Sequence, residues 1–177
     1  MQIVVHGKTF TPFLKGAQIQ QRISLIAEQL SRDLEGERPL FLPILNGSFM
    51  FAADLFRQIR VEAEISFIKL ASYKGMKSSG QLVTAIGLDV TLHDRTVVLV
   101  EDIVDTGRTL NEFLPQLQHH QPRRLKVVSL LSKPEARTHP IAIDYLGFEV
   151  PNIFLLGYGL DYDGLGRNYP DIYQLAS

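Results

Sequence analysis

The sequence predicts an α/β fold, and three observations carry that prediction. Val97-Val98-Leu99-Val100 is a run of branched apolar residues with charge on both sides. It reads as a short strand buried on both faces, the kind found in parallel sheets. A helix follows, with Leu110, Phe113, Leu114 and Leu117 on its apolar face, Thr109 as its cap, and Thr106-Gly107 supplying the tight turn before it. The second observation is that Leu40-Phe41-Leu42-Pro43-Ile44-Leu45 repeats the unit: an apolar strand, a small-residue turn at Asn46-Gly47-Ser48, and a helix carrying Met50, Ala53, Leu55 and Phe56. Third, 125–131 is another buried strand, leading into Ser132-Lys133-Pro134. Strands that alternate with helices in this way build α/β layers.

The remaining elements fit around those three. Ile3-Val4-Val5 is a short apolar run suited to an edge strand or part of a lid. Over 16–34, Ile19, Ile23, Ile26, Ala27, Leu30 and Leu34 recur at helical spacing, with Gly36 and Pro39 as stop signals. The polar positions of that helix, Gln20, Gln21, Arg22 and Glu28, read as its solvated face. Residues 63–71 read as a strand and 82–88 as its partner, with a polar loop of glycine, lysine and serine between them. The central helix is expected to end at His119-His120, where the imidazoles complement the helix dipole. Two strand-like segments, 141–148 and 151–156, precede a tail rich in glycine and tyrosine.

Composition narrows the function. With 177 residues the chain fills one core and is too short for two ordinary domains, so a single domain over 1–177 is expected. An apolar fraction of 45%, a charged fraction of 21% and a mean hydropathy of +0.04 belong to a globular protein. No apolar run approaches the roughly 20 residues of a membrane span, and the N-terminus lacks the features of a signal peptide, which points to the cytoplasm. The absence of cysteine excludes disulfides, thiol nucleophiles and thiolate metal sites. A net charge of −1 gives no pull toward nucleic acid or anionic membrane.

The chemistry concentrates after the central strand, in Glu101-Asp102-Ile103-Val104-Asp105-Thr106-Gly107-Arg108-Thr109. Backbone N–H groups from Asp105 to Thr109, the two threonine hydroxyls, the Arg108 guanidinium and a helix N-terminus make a phosphate cradle. Glu101, Asp102 and Asp105 would repel a bare phosphate, so the ligand must also bring sugar hydroxyls, a divalent cation, or both. A phosphorylated sugar with a metal-bound second phosphate group satisfies the whole set. A nucleoside triphosphate fits less well, because the chain has neither G-x-x-x-x-G-K-[ST] nor G-x-G-x-x-G after a strand.

The string Val-Val-Leu-Val-Glu-Asp-Ile-Val-Asp-Thr-Gly-Arg-Thr resembles the phosphoribosyl pyrophosphate (PRPP) signature of the type I phosphoribosyltransferases. Other segments resemble the same family in the expected order. Leu-Asn-Gly-Ser is similar to its first loop, Ser72-Tyr73 to the start of its long flexible loop, and Ile153-Phe154-Leu155-Leu156-Gly-Tyr-Gly-Leu-Asp-Tyr-Asp-Gly to the hood of the hypoxanthine/guanine branch, with Arg167 at a fixed distance beyond.

The resemblance implies a mainly parallel twisted sheet between helices, with a core over about 16–150 and a small hood over about 151–177 that includes the N-terminal segment. It also implies transfer of a 5-phosphoribosyl group from PRPP to a 6-oxopurine, with Asp105 as the base. Glu101, Asp102, Thr106, Gly107, Arg108, Thr109, Asn46, Gly47, Ser72, Tyr73 and Arg167 would bind PRPP. Lys133, Phe154 and Leu155 would bind the purine, and Glu101, Asp102 and Asp161 would bind Mg²⁺. Asn46 departs from the lysine frequent in the purine-using relatives, which shifts pyrophosphate binding toward backbone N–H groups and metal. Relatives form dimers and tetramers, so a homo-oligomer is implied. Three alternatives stay open at this point: another acceptor base such as xanthine, a non-catalytic PRPP sensor of the same fold, and a flavodoxin-like binding module.

Overall fold

The computed structural model describes residues 1–72, 82–86 and 88–176. Its strands are β1 (Ile3–Val5), β2 (Lys8–Leu14), β3 (Leu40–Leu45), β4 (Glu64–Ile65), β5 (Ile68–Ser72), β6 (Leu82–Ile86), β7 (Thr96–Val104), β8 (Arg124–Ser132), β9 (Tyr145–Glu149), β10 (Leu155–Leu156) and β11 (Ile172–Leu175). Three helices are α1 (Gly16–Asp33), α2 (Phe49–Phe56) and α3 (Arg108–His119). The expected polar loop and Tyr73 lie outside the described residues.

The central sheet runs β6-β5-β3-β7-β8-β9, with β4 on the early part of β3. Only the β5–β6 pair is antiparallel among these described strands; β3 with β4, β5 and β7, and β7 with β8 and β8 with β9, all run parallel. The pleat sorts the apolar residues to opposite faces. Val98 and Val100 of β7 and Phe41 of β3 pack with Ile19, Ile23, Leu30, Phe51 and Leu55 of α1 and α2. Val97, Leu99, Leu40 and Leu42 pack on the other face with Leu110, Phe113 and Leu117 of α3. Each fully buried side chain of this kind stabilises by about 1.5–3 kcal/mol relative to exposure, which is why such runs show no alternation of polarity.

A smaller antiparallel sheet, β1-β2-β11-β10, joins the two ends of the chain into the hood. Ile3-Val4-Val5 is its edge strand. Two contacts lock it to the core. Asp171 accepts hydrogen bonds from the Gly16 N–H at 2.7 Å and the Lys15 ammonium at 3.2 Å. The buried Tyr158 hydroxyl donates to Asp54 of α2 at 2.6 Å, where Gln20 of α1 also donates. Burial and the Asp54 carboxylate raise the Tyr158 hydroxyl far above its ordinary pKa.

Several local expectations are corrected. Gln20 and Arg22 are not simply solvated; Arg22 donates to the carbonyls of Gly147 and Leu146 at 2.9 and 2.6 Å. The face of α2 turned inward is Phe51, Ala52 and Leu55, because a helix with Asp54 as its one polar residue carries no periodicity to mark a face. The strand expected over 63–71 is divided into β4 and β5, which pair in succession with β3 on either side of Leu42 and Pro43. Pro43 has no N–H to donate at that break. The strand expected over 141–148 starts only at Tyr145, since the Asp144 carboxylate is held by the Val127 N–H at 2.8 Å and by Lys126 at 2.7 Å. Of 151–156, only Leu155–Leu156 is strand. None of the described helices is long and apolar enough to cross a membrane.

The Asp171 lock has a pH signature. The Gly16 N–H and then the Lys15 ammonium hold its carboxyl below the ordinary range. A depressed folded pKa gives stability that is present above the unfolded value of about 3.9 and lost as pH falls through the lower folded value. D171N should therefore be less stable than the parent at neutral pH, with the gap closing below about pH 4. Urea unfolding across pH checks this, and a gap independent of pH would contradict it.

Candidate active site

The site lies at the carboxyl ends of β3, β7 and β8. β7 continues four residues past its apolar run, because Glu101 pairs with Ser129 and Val104 with Ser132 in unbroken register. Glu101 and Asp102 thus project from a strand rather than from a loop. The chain then turns through Asp105-Thr106-Gly107 into α3. Gly107, not the expected Thr109, is the N-cap, with φ of +80°. Thr109 is the second residue of the helix. Only glycine adopts this left-handed backbone readily.

This turn is braced from behind by the segment after β8. The Thr138 and His139 N–H groups donate to the Thr106 carbonyl at 3.0 and 3.1 Å. Arg137, held by the Ser132 hydroxyl at 2.6 Å, lies against Gly107. A small hollow of about 80 Å³ is lined by Glu101 and residues 103–110. Its backbone N–H groups at a helix start suit a phosphate monoester. The Arg108 guanidinium is engaged by Glu112 at 2.9 Å, so the contribution of this residue to the hollow is its backbone.

Beside it is a cleft of about 290 Å³ lined by Asp102, Ile103, Asp105, Lys133, Phe154, Leu155, Leu160 and Asp161. The nearly buried Lys133 ammonium sits 2.9 Å from Asp105, whose side chain is 48% exposed. Two of the three ammonium protons remain for a further acceptor. Phe154 keeps 44% of its surface exposed, so its ring is free to receive a flat partner.

The third wall is the turn after β3. A Cβ at Gly47 would lie 1.6 Å from Asp102 Oδ2, and one at Gly159 would lie 2.1 Å from the Gly47 carbonyl oxygen. The acid, the turn and the hood therefore touch with no room for a side chain between them. The Leu45–Asn46 peptide is cis. Arg167 pairs with Asp161 at 2.7 Å and donates to the Gly159 carbonyl at 2.6 Å, while the Gly164 N–H donates to Asp161 at 2.7 Å.

Burial, then the neighbouring Asp102 charge, pushes the Glu101 carboxyl well above the usual carboxylate range. Burial also raises Asp102, against the opposing pull of the Ile103 N–H and Arg167. Glu101 Oε2 is buried with no hydrogen-bond partner. Such a pair suits ribose hydroxyl donors or a cation. No group of three or more His, Asp or Glu that could itself hold a metal occurs among the described residues. Two adjacent carboxylates, one with an unpaired oxygen, fit a hard cation that brings further oxygen ligands of its own.

The structure brings together Asp105, Lys133, Phe154, Leu155, Asp102 and Asp161 in one cleft, with Gly47 and Arg167 at its edge and Glu101 and 106–109 around the adjoining hollow. Asn46 lies in the turn beside Gly47. For Ser72, only the backbone is described, closing β5 opposite Leu82. Sequence reasoning missed Ile103 and Leu160 as lining residues, Gly159 as the contact to Gly47, and Arg137 behind the turn. The Gly-x-Gly spacing around Tyr158 was the available signal for Gly159.

Residues 12–163 match the phosphoribosyl transferase domain family. The chain is 42% identical over 154 residues to the hypoxanthine-guanine phosphoribosyltransferase of Lactococcus lactis, covering 86% of this chain and 84% of that protein. It is 38% identical over 173 residues to the enzyme of the same name from Aquifex aeolicus, covering 97% of each. Its fold superposes on the crystal structure of a hypoxanthine-guanine phosphoribosyltransferase from Bacillus anthracis with a TM-score of 0.87 at 36% identity, over 94% of this chain and 97% of that one.

Gly107→Ala tests the braced turn. The left-handed backbone alone costs a non-glycine residue about 1–2 kcal/mol, and the new Cβ would lie 2.7 Å from the His139 carbonyl oxygen. The expected result in urea unfolding is a loss of at least that size; a variant as stable as the parent would contradict the packing.

Proposed function

Because this chain belongs to the phosphoribosyl transferase family, we propose that it is a purine-salvage enzyme that joins a 6-oxopurine to PRPP, giving the nucleoside 5′-monophosphate and pyrophosphate. The observation that carries this reading is the Lys133–Asp105 pair at 2.9 Å, facing Phe154 across one cleft at the sheet rim. One group donates, one accepts, and a ring offers a stacking face.

The purine lies on Phe154, its edge bonded by the backbone at Leu155. The Lys133 ammonium donates to O6. The amino group of adenine offers no acceptor there, so adenine leaves a buried donor unpaired and is rejected. N9 attacks C1′ of the ribose as the bond from C1′ to the pyrophosphate oxygen breaks. Asp105 takes the N7 proton, which removes positive charge from the purine as its new bond forms. The backbone of 105–109 and the Thr106 and Thr109 hydroxyls hold the 5-phosphate. Glu101 and Asp102 bind the ribose hydroxyls, and their negative charge favours an oxocarbenium-like sugar. Asn46, Gly47, Ser72, Tyr73 and Arg167 complete the grip on PRPP. Asp161 would help hold a magnesium ion carried by the pyrophosphate, where it would neutralise charge on the departing group, and Glu101 and Asp102 would meet a metal only at the ribose hydroxyls.

A nucleic-acid-binding sensor of the same fold is disfavoured. Arg123 and Arg124 share Glu37, and Lys126 pairs with Asp144, so two of the three positive charges in the basic cluster of the sequence are balanced within the protein.

Incubation with PRPP, Mg²⁺ and single bases should yield nucleotide from hypoxanthine or guanine and none from adenine; binding without product would favour the sensor. Asp105→Asn should lower turnover by about 10²–10⁴-fold while leaving PRPP affinity unchanged. Steady-state kinetics and a PRPP titration check this, and unaltered turnover would remove Asp105 as the base.

A further inference from the structure

The ring on which the base would stack is itself held by two other rings, one of them from the far end of the chain. Phe154, Tyr162 and Phe10 form a closed triangle. Phe154 and Tyr162 are 5.5 Å apart between centroids at 78°, Phe10 and Tyr162 are 6.1 Å apart at 55°, and Phe10 and Phe154 are 6.2 Å apart at 50°. Phe10 is fully buried, so one corner of the triangle is fixed.

Tyr162 is the corner with further partners. His6 packs on it at 5.5 Å and 82°, and the Lys8 ammonium lies 5.0 Å from its ring centroid. His6 Nε2 also meets the Asp163 carbonyl oxygen at 3.2 Å, next along the chain. The Tyr162 backbone exchanges hydrogen bonds with Leu165 in both directions, at 2.9 and 3.1 Å. Ring and backbone are therefore both restrained, whereas Phe154 has a half-free ring in a short segment with little regular structure.

We propose that Tyr162 is a positioning residue for base binding: it holds Phe154 upright at the cleft and ties the purine subsite to the β1–β2 hairpin. This rests on the reading of Phe154 as the stacking ring. Right-angled aromatic pairs are favourable beyond the area they bury, and they fix the relative orientation of the rings. Lys8 over the ring adds a cation–π contact that fixes Tyr162 in turn. The consequence is a site that borrows its first ten residues, although none of them lines the cleft.

The test separates positioning from plain packing. Initial rates are measured for the parent, Y162F, Y162L and K8M, varying hypoxanthine and PRPP separately, with thermal unfolding alongside. Y162L should raise KM for hypoxanthine by about 3–10-fold with KM for PRPP and kcat little altered, and Y162F should restore the parent value. K8M changes only an exposed side chain and should raise the hypoxanthine KM by about 2-fold. An unchanged hypoxanthine KM in Y162L, or parallel rises in both KM values, overturns the proposal while leaving the proposed activity intact. If Y162L does not fold, an unchanged hypoxanthine KM in K8M rejects it. A parent protein that makes no nucleotide from any 6-oxopurine removes the underlying reading, and the inference falls with it.

Discussion

The level ending of β7 and β8 is the constraint on which the site depends. Parallel register pairs Val104 with Ser132, so the next residue of each strand leaves the sheet at the same height. Those residues, Asp105 and Lys133, are 28 positions apart in sequence and 2.9 Å apart in space. A shift of one residue would send each side chain to the opposite face of the sheet. The buried apolar alternation of β7, with Val98 and Val100 on one side and Val97 and Leu99 on the other, forbids that shift. Core packing and the geometry of the Lys133–Asp105 pair are thus one requirement, expressed along and at the ends of the same strands.

Nearly buried Lys133 faces a half-exposed carboxylate, a pairing that offsets the cost of taking the ammonium out of water. The acids of β7 show the reverse problem. Glu101 and Asp102 carry carboxyls displaced upward by burial, and one oxygen has no partner within the protein. Groups left in that condition are stabilised by what arrives from outside, so the cleft is polarised in advance for hydroxyls and cations.

Much of this was legible in the residues. The central strand and the three main helices follow from apolar runs and punctuating glycines, and the common rim of Asp105 and Lys133 follows from the ends of two such runs, whereas the hood was implied by the family resemblance alone. What stayed hidden is instructive. The length of β7 was concealed because Glu101 and Asp102 interrupt its apolar run, and a neighbouring strand rather than local propensity keeps them extended. The inward face of α2 was concealed because nearly every residue is apolar. Asp144 delays the predicted strand to Tyr145 by capturing a backbone N–H with its side chain, a choice that depends on where β8 lies. The pairing of Tyr162 with Phe154 and Phe10 needs the antiparallel union of β2 with β11, a contact no local window contains.

That union has a consequence for folding. β11, at 172–175, completes the small sheet by pairing with residues 10–14, so the hood closes through residues far apart in sequence. Pairing over so long a separation carries its loop-closure entropy before any contact rewards it, whereas neighbouring strands of the parallel layers are joined by much shorter crossovers. The roof is therefore the costliest part of this fold to close.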